Sequence, residues 1–237
     1  RFGLKQLKEV YVVRTTIHDI TAREFLAKNP NCLLVYKTIH LNRWWQHLSP
    51  GWKEVFISQL EADTTRENLH RLVEKEIFHF KEARVRDLTG LSEFVRLKEL
   101  HFSATGITEI PDLESLRSLK SLHATSSPLQ RIGAIAVLSE LEDLDISNTP
   151  VDDLRGLESL ANLRTPNCAG TQIKKLDALR SLVDLQSLDC SNTRVNKLDP
   201  VMYLSLGTLK AYNTKVTSRE VEQFSGNNPD CQVVYYR

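Results

Sequence analysis

The chain has 237 residues, is 41% hydrophobic and 26% charged, and carries a formal net charge of +1, an ordinary balance for a folded chain with a sizeable core. So small a net charge gives no general field to draw in nucleic acid or an acidic membrane, and the longest uncharged stretch is far too short to span a bilayer. Four cysteines, Cys32, Cys168, Cys190 and Cys231, are too few and too scattered to staple a small secreted scaffold, which favours a reducing, cytoplasmic setting. The chain opens on Arg1, with no apolar stretch and cleavage site behind it. It is therefore expected to be a monomeric fragment, or processed product, of a larger chain, with any targeting signal outside it.

In chain order, the first signal is Leu7, Val10, Val12, Thr15 and Ile17, spaced as a short strand and the turn after it. Thr21 and Glu24 follow as a capping-box pair for a helix, then Asn29, Pro30, Asn31 and Cys32, then the apolar Leu34, Val35 and Tyr36. The chain closes on the same order of residues: Thr217 and Glu220, Asn228, Pro229, Asp230 and Cys231, then Val233, Val234 and Tyr235 as a short strand. Residues 1–40 are accordingly expected to be the last repeat and C-terminal cap of a preceding array. Between them, Trp44, Trp45, Leu48, Trp52, Val55, Phe56 and Leu60 recur at spacings of three and four, an amphipathic helical pattern broken at Ser49, Pro50 and Gly51. Leu69, Leu72 and Val73 continue it. Residues 41–74 are expected to form a helical N-terminal cap whose tryptophans fill its core, in preference to an aromatic patch for a partner.

From residue 75 to 217 one frame returns seven times. It reads Leu97, Leu100, Phe102, Ile107, Ile110, Leu113 and Leu116. It reads again Leu119, Leu122, Ala124, Leu129, Ile132, Ile135 and Leu138, and then Leu141, Leu144, Ile146, Val151, Leu154, Leu157 and Leu160. Further copies start at Leu163, Leu185 and, one residue shorter, Leu206; a degenerate first copy holds Phe78, Phe80, Val85, Leu88, Leu91 and Phe94 with Lys75 in the leading place. The alternating residues make a strand buried on one face, and the apolar residue at every third place afterwards suits a 3-10 or short helical segment. No copy can bury its apolar edge alone, so copies must stack. Strands are expected near Phe78, Leu100, Leu122, Leu144, Pro166, Leu188 and Leu209. This frame resembles the leucine-rich-repeat family, in its 22-residue bacterial, internalin-like form. The resemblance implies an α/β fold: a right-handed leucine-rich-repeat solenoid with parallel strands on the concave face, 3-10 or short helical segments on the convex face, and helical caps. Residues 218–237 would be the C-terminal helix-strand cap. Where the family sets a laddering Asn, the chain has Thr105, Ser127, Thr149, Thr171, Thr193 and Thr214, expected to form a structural ladder of hydroxyls.

Chemistry is sparse. There is no P-loop, no dinucleotide-binding glycine pattern, no zinc-protease motif and no pair of C-x-x-C. Cys168 and Cys190 sit at inward strand positions and are expected to be core, not nucleophiles. The exposed strand face is the informative surface. Its central column runs His79, His101, His123, Asp145, Asn167, Asp189 and Lys210, flanked by Glu99 and Asp143. These nine residues are expected to bind a protein partner on the concave face of a non-catalytic module, with no cofactor and no metal. One alternative is a ligand-sensing region, for peptide or glycan, of a larger multidomain protein. Another is a metal site on the histidine column at His101, His123 and Asp145, disfavoured because neighbouring strands project their ligands in parallel.

Overall fold

The computed structural model describes residues 8–12, 17, 19–29, 32–36, 38–60, 63–111 and 114–236. Leu7, Thr15, Pro30 and Asn31 of the first frame, and Leu113 of the second repeat, lie outside the described residues. The chain divides into two compact units, Arg1–Lys75 and Glu76–Arg237.

In the first unit, strand β1 (Glu9–Tyr11), helix α1 (Asp19–Lys28) and strand β2 (Leu33–Val35) form a parallel pair with a helical crossover. Ala22, Leu26 and Leu34 are buried between them, with Val10, Val12, Ile17, Phe25 and Tyr36 packed alongside. Three helices follow: α2 (Thr38–His47), α3 (Pro50–Ile57) and α4 (Arg66–Val73). The break between α2 and α3 is chemical. Ser49 accepts the Trp52 N–H on its side chain, and Pro50 fills the first helical position, where no N–H is needed. Thr65 caps α4 in the same way by accepting from Asn68 N–H. Trp44, Trp52, Val55 and Phe56 are buried, with Phe56 stacked on Trp52 at 5.1 Å and tilted against Trp44 at 5.4 Å, while Trp45 is half-buried.

The second unit is one sheet of eight parallel strands in chain order. They are β3 (Ile77–Lys81), β4 (Glu99–Ser103), β5 (Ser121–Thr125), β6 (Asp143–Asp145), β7 (Thr165–Asn167), β8 (Ser187–Asp189), β9 (Thr208–Lys210) and β10 (Gln232–Val234). All seven expected centres fall within strands, and β10 adds the short strand read at the C-terminus. Pairing is by translation: Phe78 faces Leu100, Leu100 faces Leu122, Leu122 faces Leu144, and Leu188 faces Leu209. The returns carry 3-10 segments, such as Thr89–Leu91, Leu157–Ser159 and Asp199–Val201, and helix α5 (Ser218–Asn227) makes the last crossover. A three-residue rise per turn keeps every third residue on one face. Thus Leu154, Leu157, Leu160 and Leu163 all point inward and are buried.

One to three residues past the end of each strand from β3 to β9 comes a residue with left-handed backbone: Glu82, Ala104, Ser126, Asn148, Gly170, Asn192 and Asn213, with φ between 50° and 69°. Their N–H groups donate across to the neighbouring coil, Asn148 to Ala169 O and Asn192 to Tyr212 O. Asparagine and glycine suit this conformation best. One side-chain rung does exist here: Asn213 Nδ2 donates to Asn192 Oδ1 at 2.9 Å. It lies one residue before the threonines. The hydroxyls of Thr149, Thr171, Thr193 and Thr214 instead donate within their own repeat, to the carbonyls of Ile146, Cys168, Cys190 and Ala211 at 2.6–2.7 Å. Only Thr105 and Ser127 touch across repeats, at 3.1 Å. The expected hydroxyl ladder is therefore corrected to a set of local turn closures. A threonine hydroxyl is too short to span coils while it also satisfies a buried carbonyl three residues back.

The described residues of 8–36 and their counterparts in 207–235 are built alike, with equivalent positions 199 residues apart (Leu209 minus Val10). Val10 pairs Leu34 as Leu209 pairs Val233. Asn29 Nδ2 donates to Phe25 O at 2.9 Å as Asn228 Nδ2 does to Phe224 O at 3.1 Å. Cys32 N–H and Cys231 N–H each donate to the corresponding asparagine carbonyl at 3.0 Å.

Candidate functional site

Strand alternation sends one set of residues into the core and the other to the open face. On β4 and β5 the second and fourth residues are buried and the rest half-exposed. All nine residues expected on this face are found there. His79 and Lys210 are exposed, and Glu99, His101, His123, Asp143, Asp145, Asn167 and Asp189 are half-buried.

The histidines form a stack. His79 and His101 lie 4.3 Å apart with ring planes within 5°, and His101 and His123 lie 4.0 Å apart within 9°. Equal side chains at paired positions of parallel strands are carried along by the strand spacing itself, which is why the rings lie flat on one another. The stack ends on an acid. His123 Nε2 is 2.5 Å from Asp143 Oδ2, which also accepts Ser121 Oγ–H at 2.9 Å, and Thr165 Oγ1–H donates to Asp143 Oδ1 at 2.5 Å. Burial alone would raise the Asp143 carboxyl, but the hydrogen bonds from His123, Thr165 and Ser121 outweigh it and hold the carboxyl at about 2. The same bond raises the His123 imidazole. His101 goes the other way, lowered first by burial and then by the charges of His123 and His79.

Beyond β5 the column changes chemistry and the strands shorten from five residues to three. The cause is local. Ser147 N–H donates to Asp145 Oδ1 at 2.8 Å, Ala169 N–H to Asn167 Oδ1 at 3.1 Å, and Ser191 N–H to Asp189 Oδ1 at 3.0 Å. A short polar side chain that binds the N–H two residues ahead starts a turn and withdraws that group from the ladder. These three residues thus have a structural duty as well as a place on the face. They also join neighbours: Asn167 Nδ2 donates to Asp145 Oδ2 at 2.9 Å, and Lys210 Nζ sits 3.4 Å from Asp189 Oδ2. Tyr236 was not among the expected face residues. It stacks on Tyr212 at 4.7 Å, rings within 6°, and the signal for it was the period-two continuation of the last strand.

Cys168 and Cys190 are buried, and their thiols donate to the carbonyls of Asp189 and Lys210 at 3.2 and 3.4 Å. Burial raises both, Cys190 to about 12. Cys231 is only partly buried, unlike Cys32. A hollow of about 460 Å³ lies over the histidine end of the face, walled by His79, Lys81, His101, Ser103, His123 and Thr125 above Phe80 and Phe102.

No protein-family model matches the chain, and no curated protein does. Solved structures do match. An internalin C2 from Listeria monocytogenes superposes with a TM-score of 0.65 at 22% identity, over 79% of this chain and 86% of that one. A leucine-rich-repeat protein from Leptospira interrogans gives a TM-score of 0.60 at 13% identity, over 77% and 56%. An internalin, inlF, from Listeria monocytogenes gives 0.52 at 21% identity, over 65% and 54%. The fold is the leucine-rich-repeat solenoid. The chain spans about half the length of the inlF and Leptospira chains, 54% and 56%, and likeness at these identities concerns the fold. The leucine-rich-repeat face described above belongs to this chain's own residues. Among the described residues, no helix is long and apolar enough to cross a membrane.

Proposed function

We propose that the leucine-rich-repeat array is a non-catalytic interaction module that takes a protein partner on the concave strand face. The observation that carries this reading is the ordered histidine stack of His79, His101 and His123. Its rings are held by one another and by Asp143 while the core lies entirely on the other side of the strands. A preorganised face of this kind binds without the entropy cost of ordering loose side chains. Two features speak against catalysis by the residues on hand. Asp143 stays ionised down to about 2 and is no proton carrier near neutrality, and the buried, raised thiols of Cys168 and Cys190 are poor nucleophiles. A second reading, recognition of a peptide or glycan ligand, has one specific support: the hollow of about 460 Å³ falls in the range of small-ligand sites, roughly 300–1,000 Å³.

The matching ends of residues 8–36 and 207–235 support a further part of this reading. Residues 1–40 are the last repeat and cap of a first array, 41–74 the N-terminal cap of a second, 75–217 its seven repeats and 218–237 its closing cap.

The test uses immobilised chain, cross-linked to whatever it retains from an extract of its source. His101→Ala with His123→Ala should reduce retention of the wild-type partner at least tenfold, and stability should change by no more than ~1 kcal/mol. Arg155→Ala, at the exposed end of the 3-10 side, should retain it fully. If the histidine pair retains the partner as well as wild type does, the face assignment fails. A partner displaced by short peptides or oligosaccharides alone would favour the second reading.

A further inference from the structure

Glu99 and His101 stand two residues apart on β4, and alternation gives them the same face. The β3–β4 register sets His79 directly opposite His101. One donor atom each from His79, Glu99 and His101 lie within 4.8 Å of one another, and among the described residues no other trio of histidine, cysteine and acidic side chains converges in this way. A tetrahedral zinc ion, bound at 2.0–2.1 Å, holds its donors roughly 3.4 Å apart. The donors here must close by about 1.4 Å at most. The His79 ring is exposed and has to leave its stacked pose on His101 to supply part of this movement.

The next strand offers no such set. His123 Nε2 is committed to Asp143, and both oxygens of Asp143 accept further hydroxyls. Asp145 accepts the Ser147 N–H on one oxygen and the Asn167 amide on the other. Parallel projection from neighbouring strands, which disfavoured a trio at His101, His123 and Asp145, is overcome one strand earlier because two donors come from a single strand and the third from its neighbour.

We propose that His79, Glu99 and His101 form a binding site for a zinc-class divalent transition-metal ion. Two imidazoles and one carboxylate match the preferences of zinc and its neighbours, whereas calcium and magnesium call for oxygen ligands throughout. Three protein donors leave a tetrahedral position for water or for a side chain brought by another molecule. The site goes beyond the interaction reading and stands whether or not a protein docks on this face.

The test uses the full chain without an affinity tag, stripped of metal by chelation. It is titrated with Zn²⁺ by calorimetry and with Co²⁺ by absorption spectroscopy. One zinc ion should bind. His79→Ala and His101→Ala should each weaken binding at least tenfold, Glu99→Gln by a smaller factor, and His123→Ala by less than about threefold, with far-UV circular dichroism unchanged in all four. Mg²⁺ should give no binding heat, and the cobalt complex should show no thiolate charge-transfer band. Wild-type zinc affinity in the His79 and His101 variants would overturn the site, as would an equal loss in His123→Ala, a thiolate band, or no zinc binding by the wild-type chain.

Discussion

Asp143 accepts hydrogen bonds from three side chains on the two strands that flank its own, Ser121 and His123 on β5 and Thr165 on β7, and its pairing with His123 makes the face respond to pH at both ends of the scale. Its folded value of about 2 lies below the roughly 3.9 of an unfolded aspartate, so its contribution to stability is present above ~3.9 and is lost as pH falls through about 2. His123 is raised in the folded state, so its contribution is present below the unfolded value of ~6.5 and is lost as pH rises through the folded one. The pair is complete between about pH 4 and 6.5. With chelator present, the melting-temperature gap between wild type and Asp143→Asn should be widest in that window and narrow on either side; a gap flat from pH 3 to 9 would refute the coupling. Alternation made the face on which both residues stand legible in the sequence. Their contact was not legible, because it runs diagonally, from the central place on β5 to the flanking place on β6, and depends on side-chain rotamers. The structural duty of Asp145, Asn167 and Asp189 had a readable signal: an Asp or Asn two residues before a small residue, repeated at the ends of β6, β7 and β8.

At the scale of the element, the strand-to-turn junction is where local preference and fold agree least evenly. Asn148, Gly170, Asn192 and Asn213 suit left-handed backbone, whereas Glu82, Ala104 and Ser126 adopt it at φ 50–51° against their preference. At Gly170 a Cβ would meet Asn148 Oδ1 at 2.6 Å in addition to the φ of +69°. Gly170→Ala should therefore cost about 1–3 kcal/mol, read as a lower urea midpoint, while Ala104→Gly should leave the midpoint unchanged or raise it. A neutral Gly170→Ala would show that the junction can relax. The asparagine column lay open in the sequence one residue before the threonines. The first three repeats hide it, since glutamate, alanine and serine fill its place there, so the unbroken hydroxyl column beside it draws the eye instead.

For the whole molecule, the array was legible because one period is written seven times and every copy states the same buried positions. The correspondence of the two ends was legible because the same order of residues is written at both. Side-chain convergence at His79, Glu99 and His101 was less so, since it combines a spacing of two along one strand with an offset of 22 between strands (Leu122 minus Leu100). That offset, constant from β3 to β8, makes this part of the array a ruler with interchangeable divisions. Removing Lys98 through Leu119, one whole period, joins Leu97 to Lys120 and lays β3 against β5 with no change of phase. Lys120 then stands where Lys98 had met Glu76 at 2.8 Å. Such a shortened chain should fold and melt cooperatively, its face one strand spacing, ~4.8 Å, narrower, whereas loss of half a period should leave it unfolded by circular dichroism. Insertions and deletions are then tolerated in units of a full division, so the width of the strand face can drift over evolutionary time while the core beneath it stays the same.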